Sequence, residues 1–141
     1  MSKAKSIGTA AETAVVKYLQ GLGYQNVHRV VLHGKNDEGD IQIGTSDNPD
    51  IIIEVKSRKQ ECTYKEVASF MKELEAEQKN KWGKCFVNPL ASTEAKKAFL
   101  IIKRPGKGKV ADWWLCWNQT IKSDRIIICR CRVGDYFEEV E

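Results

Sequence analysis

The sequence predicts an α/β fold, a single domain over residues 1–141 built on one central sheet. Three observations carry this reading. Apolar residues recur at helical spacing in two separate stretches, β-type runs bounded by turn residues follow each of them, and no repeat or low-complexity linker divides the chain. A chain of 141 residues is long enough to bury a core without staples.

The first stretch, residues 7–22, sets Ala11, Val15, Tyr18, Leu19 and Leu22 on one stripe, with Ser6 placed to cap the helix and Gly23 to stop it. The period then changes to that of strands. Residues 27–33, 40–44 and 50–57 read as three strands, separated by the turn material "GKNDEG" and "TSDNP". Residues 64–80 form the second helix, in which Val67, Phe70, Met71 and Leu74 make the apolar stripe. Beyond it "KCFVN" (84–88), "AFLIIKR" (98–104), "DWWLCW" (112–117) and "RIIICRCR" (125–132) read as further strands. The connection 105–111, "PGKGKVA", reads as a basic turn.

Hydrophobic residues make up 42% of the chain and charged residues 30%, the balance of a soluble globular protein. The net charge of +4 permits a polyanionic partner without requiring one. No apolar run approaches the roughly 20 residues of a membrane span, and "MSKAKSIGTAAE" has no apolar segment of signal-peptide type. The expectation is an intracellular protein, cytoplasmic or nucleoid-associated, with no membrane partner. Five cysteines without a CxxC spacing suit neither a disulfide framework nor a zinc ribbon.

The segment "DIIIEVKSRK" (50–59) carries the chemistry. It reads as a central strand, yet Glu54 and Lys56, two residues apart, share one face of it with Ile52. A hairpin centred near Asp47 sets Asp40 opposite Glu54, with Cβ atoms about 5 Å apart. Two carboxylates that close repel by roughly 1 kcal/mol in water and about 4 kcal/mol at an effective dielectric of 20. A divalent cation removes that repulsion, and Mg²⁺ commonly takes one or two carboxylates together with substrate phosphate. Asp50, about 13 Å from Glu54 along the strand, reads as a turn residue instead of a ligand. Lys56 is placed to approach a phosphate or orient a water; the competing reading is a simple charge pair on an edge strand. Glu12 lies on the first helix at the margin of its inward stripe, where it is either a further active-site acid or a solvated glutamate.

The ordered set Glu12 in "GTAAE", Gly39-Asp40 opening a strand, and Glu54-x-Lys56 in "IIIEVKSRK" resembles the PD-(D/E)xK nuclease superfamily, and within it the archaeal-type Holliday junction resolvases. The resemblance covers residues 6 to about 104. It implies a restriction-endonuclease-like mixed central sheet flanked by helices and Mg²⁺-dependent hydrolysis of phosphodiesters in branched DNA, with Mn²⁺ able to substitute. It also implies a homodimer. In that scheme Asp40, Glu54 and the Val55 carbonyl hold the metal, Lys56 stands at the attacking water, and Glu12 contributes a further acid.

Basic residues complete the expectation. Lys103, Arg104, Lys107 and Lys109 lie on a Gly/Pro-rich connection able to follow a phosphate backbone, or else to act as a solvated hairpin turn. Lys35 stands near Asp40 in sequence and is expected at the DNA. Trp113 and Trp117 alternate to one face, as core or dimer interface, and Gln78 reads either as a helix-end residue or as a contact to the water. The reading is a metal-dependent endodeoxyribonuclease, with Holliday junction resolution as the leading activity. A restriction or repair endonuclease and a non-catalytic DNA-binding module on the same fold are the alternatives.

Overall fold

The computed structural model describes residues 3–30, 40–91, 95–122 and 124–140. Helix α1 (Lys3–Gly21) is followed by strands β1 (Val27–Arg29), β2 (Ile41–Gly44) and β3 (Pro49–Ser57), then helix α2 (Tyr64–Trp82). Strands β4 (Lys97–Lys103), β5 (Trp114–Ile121) and β6 (Arg125–Arg132) come next, a 3-10 turn at Val110–Asp112 entering β5 and a one-turn helix α3 (Val133–Tyr136) closing the series. The six strands form one mixed sheet in the order of the chain. Only β3 and β4 run parallel, and α2 lies in the crossover between them, as a parallel pair requires. No helix among the described residues is long and apolar enough to cross a membrane.

Strand alternation divides the interior into two cores. Ile53 and Val55 of β3 turn toward α1 and pack with Ala11, Val15 and Leu19, together with Phe99, Trp113, Trp117 and Phe137. Ile52 turns the other way, toward Phe70, Met71 and Leu74 of α2, with Leu100, Ile102 and Cys116 alongside. The helices present the stripes expected of them, since Ala11, Val15 and Leu19 are spaced by a helical turn and are all buried. Trp113 and Trp117 therefore belong to the core on the α1 side and are taken out of any dimer surface.

The chain's punctuation sets these elements. Thr63 caps α2 reciprocally with Glu66, and Gly83 ends it in the left-handed region at φ 80°. In the β2–β3 hairpin Ile41 pairs with Ile53, Gln42 with Ile52 and Ile43 with Ile51, the register that a centre near Asp47 sets. A bulge then intervenes at Gly44, whose φ of +116° and 2.9 Å approach of a notional Cβ to the Asp50 amide leave no place for a side chain.

Two local expectations are corrected. Helix α1 begins at Lys3, so Ser6 lies within the helix and is not its cap. Residues 84–88 are not a strand: the Phe86 amide donates to Gln78 Oε1 at 2.8 Å, and Asn88 adopts φ 61°, which breaks an extended run. Phe86 instead stacks edge-on against Trp82 at the end of α2. Residues 31–33 of the first expected strand, and the "GKNDEG" turn, lie outside the described residues.

Candidate active site

Glu54 and Lys56 alternate with Ile53 and Val55, so both charged side chains stand on the α2 side of the sheet. Glu54 is 5% exposed. A carboxylate buried that deeply requires partners, and Lys56 supplies one, its Nζ lying 3.3 Å from Glu54 Oε1. The second oxygen, Oε2, is buried with no hydrogen-bond partner, a state that costs about 1–3 kcal/mol for a polar group and more for a charged one. Lys56 is held a second time by Glu73 of α2, at 2.9 Å, and lies 5.1 Å from the centre of the Phe70 ring.

Burial alone pulls the Lys56 pKa down, but the hydrogen bond from Lys56 to Glu73 and the charges of Glu54 and Glu73 outweigh it, leaving the pKa above the usual lysine value of 10.5. At neutral pH Lys56 is an ammonium ion. Its chemistry is that of a cation and hydrogen-bond donor, not of a base.

Asp40 stands just before the first paired residue of β2. Its amide donates to the Ile53 carbonyl at 3.1 Å, and its Oδ2 accepts from the Val55 amide at 2.8 Å. The carboxylate is thereby anchored along the β3 edge, beside the backbone that carries Glu54. In an extended strand the N–H and C=O of one residue point to the same lateral side, so the Val55 carbonyl also faces Asp40. Asp40, Glu54 and Val55 are thus drawn together at the end of the β2–β3 pair. Asp50 stands at the opposite end of β3, with its carboxylate 3.3 Å from Lys96 Nζ.

Glu12 has a different setting. It projects from α1, which packs on the other face of the sheet, and its Oε2 accepts from Arg29 of β1 at 2.9 Å. Among the described residues no group of three His, Cys, Asp or Glu side chains is gathered closely enough to hold an ion. What Asp40, Glu54 and Val55 could offer a metal is two carboxylates and one carbonyl, oxygen donors of the kind that Mg²⁺ takes together with several waters. Glu54 Oε2 is the one of these oxygens that is buried without a hydrogen bond.

Because β3 and β4 are parallel, Ser57 pairs with Lys103, and their carboxyl ends open on the same side of the sheet. Ligands of open α/β sheets characteristically bind outside such ends. The basic connection after β4 therefore lies at the same end as Lys56. Arg104 donates to the Asp112 carbonyl at 3.1 Å, and the Trp113 indole donates to the Lys107 carbonyl at 2.8 Å, so the loop's path is fixed from within. Lys107 and Lys109 are exposed, whereas Lys103 is half-buried with its ammonium 5.7 Å from the Trp113 ring. Lys35 lies outside the described residues.

Glu73 is the residue that sequence reasoning missed. Its only signal was its place three residues after Phe70 on a helix whose inward stripe was recognised, and nothing in that spacing names Lys56 as a partner. Gln78, by contrast, is occupied with the Phe86 amide. Comparisons of this chain with protein-family models, with curated proteins and with solved structures found no match.

Proposed function

We propose that this chain is a Mg²⁺-dependent endodeoxyribonuclease of the restriction-endonuclease-like class, acting on branched DNA as a Holliday junction resolvase. The observation that carries the reading is the buried, half-satisfied Glu54 carboxylate, set between the Lys56 ammonium and the Asp40–Val55 edge. Replacing a buried ion pair with apolar residues of similar volume is often neutral or stabilising, so the presence of this one is read as functional.

Asp40, Glu54 and the Val55 carbonyl would hold the ion. When bound, Mg²⁺ supplies a Lewis acid and offsets the charge of the phosphodiester. Lys56 donates to a non-bridging phosphate oxygen or to the attacking water and stabilises negative charge developing in the transition state. Glu73 keeps that ammonium in place when Glu54 turns its charge to the ion. Lys103, Arg104, Lys107 and Lys109 hold the flanking phosphates, with Lys35 as a further expected contact. Glu12, expected as a further acid, is paired with Arg29 on the α1 side of the sheet.

The chain would act as a homodimer, since a four-way junction offers two symmetric strands to cut and each chain carries one such strand motif. The strand β6, outermost in the sheet among the described residues, supports this, with Ile126 57% and Ile127 39% exposed. Incubation with Mg²⁺ and a panel of duplex, flap, single-stranded and four-way DNAs tests the activity. Paired incisions in the four-way DNA are expected; cutting of plain duplex alone would favour a restriction or repair endonuclease, and binding without cutting a non-catalytic module. Sedimentation at micromolar concentration tests the dimer, and a monomer both free and on DNA would exclude it.

A further inference from the structure

Resting on the nuclease reading, we infer that the cavity between the start of α2 and strands β4–β6 receives an unpaired nucleobase of the DNA. The cavity has a volume of about 260 Å³. Its floor is apolar, made by Ile102 and Cys116, and Tyr64 and Trp114 bring aromatic rings to it. Tyr64 is 74% exposed, so its ring is open to a ligand entering the cavity.

Charge selects the occupant. The guanidinium carbons of Arg104 and Arg130 each lie 4.1 Å from the centre of the Trp114 ring, so the indole is covered by two cations and what it offers a ligand is the outer plane of a guanidinium held upon it. An apolar peptide side chain has no use for that pair. A nucleotide has a planar base for the Tyr64 ring and the Arg130 guanidinium plane, and a phosphate for the positive charge gathered there. Glu61 Oε1 already accepts the Trp114 indole N–H at 2.9 Å, which fixes the ring and leaves a carboxylate at the rim for an exocyclic amine.

Position agrees with chemistry. Lys56 pairs with Ile102, and Ile102 pairs with Trp114, so these residues form one row across the sheet on the α2 side. Two strand spacings put the aromatic wall about 10 Å from Lys56. A strand stacked at about 3.4 Å per nucleotide crosses that gap in a few residues. A base leaving the stack at a branch point, where it has lost a neighbour, would reach the cavity while a phosphodiester a few nucleotides along the strand lies at Lys56.

The test is photocrosslinking of the full chain to a four-way junction carrying 5-iodouracil at the branch, with a fully paired duplex of the same sequence as control. Crosslinks confined to the junction and mapped to Tyr64 are expected. Tyr64→Ala should reduce the yield and weaken junction binding about tenfold, Tyr64→Phe should restore both, and duplex affinity should stay within about twofold. Because Tyr64 is exposed, its loss should leave the fold intact, which circular dichroism checks. Binding and cutting of the junction without these crosslinks, or equal crosslinking from paired duplex, overturns the cavity's role and leaves the nuclease reading standing. A change of oligomeric state in Tyr64→Ala assigns the cavity to protein contact and overturns it too. No binding to any DNA overturns both.

Discussion

The two faces of the sheet are built from the same strands, and one stays apolar where the other turns to charge. On the α1 side, β3 contributes Ile53 and Val55 to a core in which Val15, Leu19, Phe99 and Leu115 are fully buried. On the α2 side the same strand contributes Ile52, then Glu54 and Lys56, so that the core gives way to charge toward the carboxyl end. Alternation in one strand separates the two roles at single-residue resolution. Both faces bury an apolar core, and the α2 face admits a charged pair beside its own.

The comparison is sharpest where a side chain is removed. Leu19→Ala should destabilise the fold by about 2–5 kcal/mol in denaturant unfolding, since it opens a cavity in a fully buried site. On the other face Lys56→Met should cost about 3 kcal/mol, because it strands the buried Glu54 charge, whereas Glu54→Gln should stay within about 1 kcal/mol. If Glu54→Gln proved as damaging as Leu19→Ala, the α2 face would be structural in the same sense as the α1 face, and the division between them would fail.

A milder perturbation reaches the loop at the end of β4. Replacing Lys103, Arg104, Lys107 and Lys109 together with Ala should flatten the salt dependence of DNA binding, each lost phosphate contact removing about 0.9 from the log–log slope on B-form DNA. An unchanged slope would make the loop a solvated turn. The smallest effect concerns Cys116, whose thiol burial pushes up to about 12 from 9.0. A raised pKa means that its contribution to stability is complete below pH 9.0 and is lost as pH rises toward about 12, so Cys116→Ala should show a shallower alkaline decline than the parent chain.

Much of this division could be read in the sequence, for definite reasons. The positions of Glu54 and Lys56 follow from a two-residue period, and the hairpin register follows from turn residues that are local to it. The stripes of α1 and α2 follow from helical spacing. What escaped depended on contacts between distant segments. "KCFVN" has the composition of a strand, but its amides are taken by Gln78 and by the Asn118 carbonyl of β5, so no ladder forms. The hold of Glu73 on Lys56 needs α2 laid across β3, which no local pattern encodes. The setting of Glu12 likewise turns on Arg29 arriving from β1, so its place on the helix was legible and its partner was not.

The most direct test of the account pairs two readouts on Asp40→Ala and Glu54→Ala: cleavage of a four-way junction in Mg²⁺, and affinity for the same junction with Mg²⁺ withheld. Removing either carboxylate should abolish cleavage while leaving affinity unchanged or slightly tighter, because each repels phosphate when no cation is bound. Asp50→Ala, at the far end of β3, should cut normally. Loss of binding in step with cleavage in variants still folded by circular dichroism, or an Asp50→Ala defect equal to that of Asp40→Ala, would contradict it.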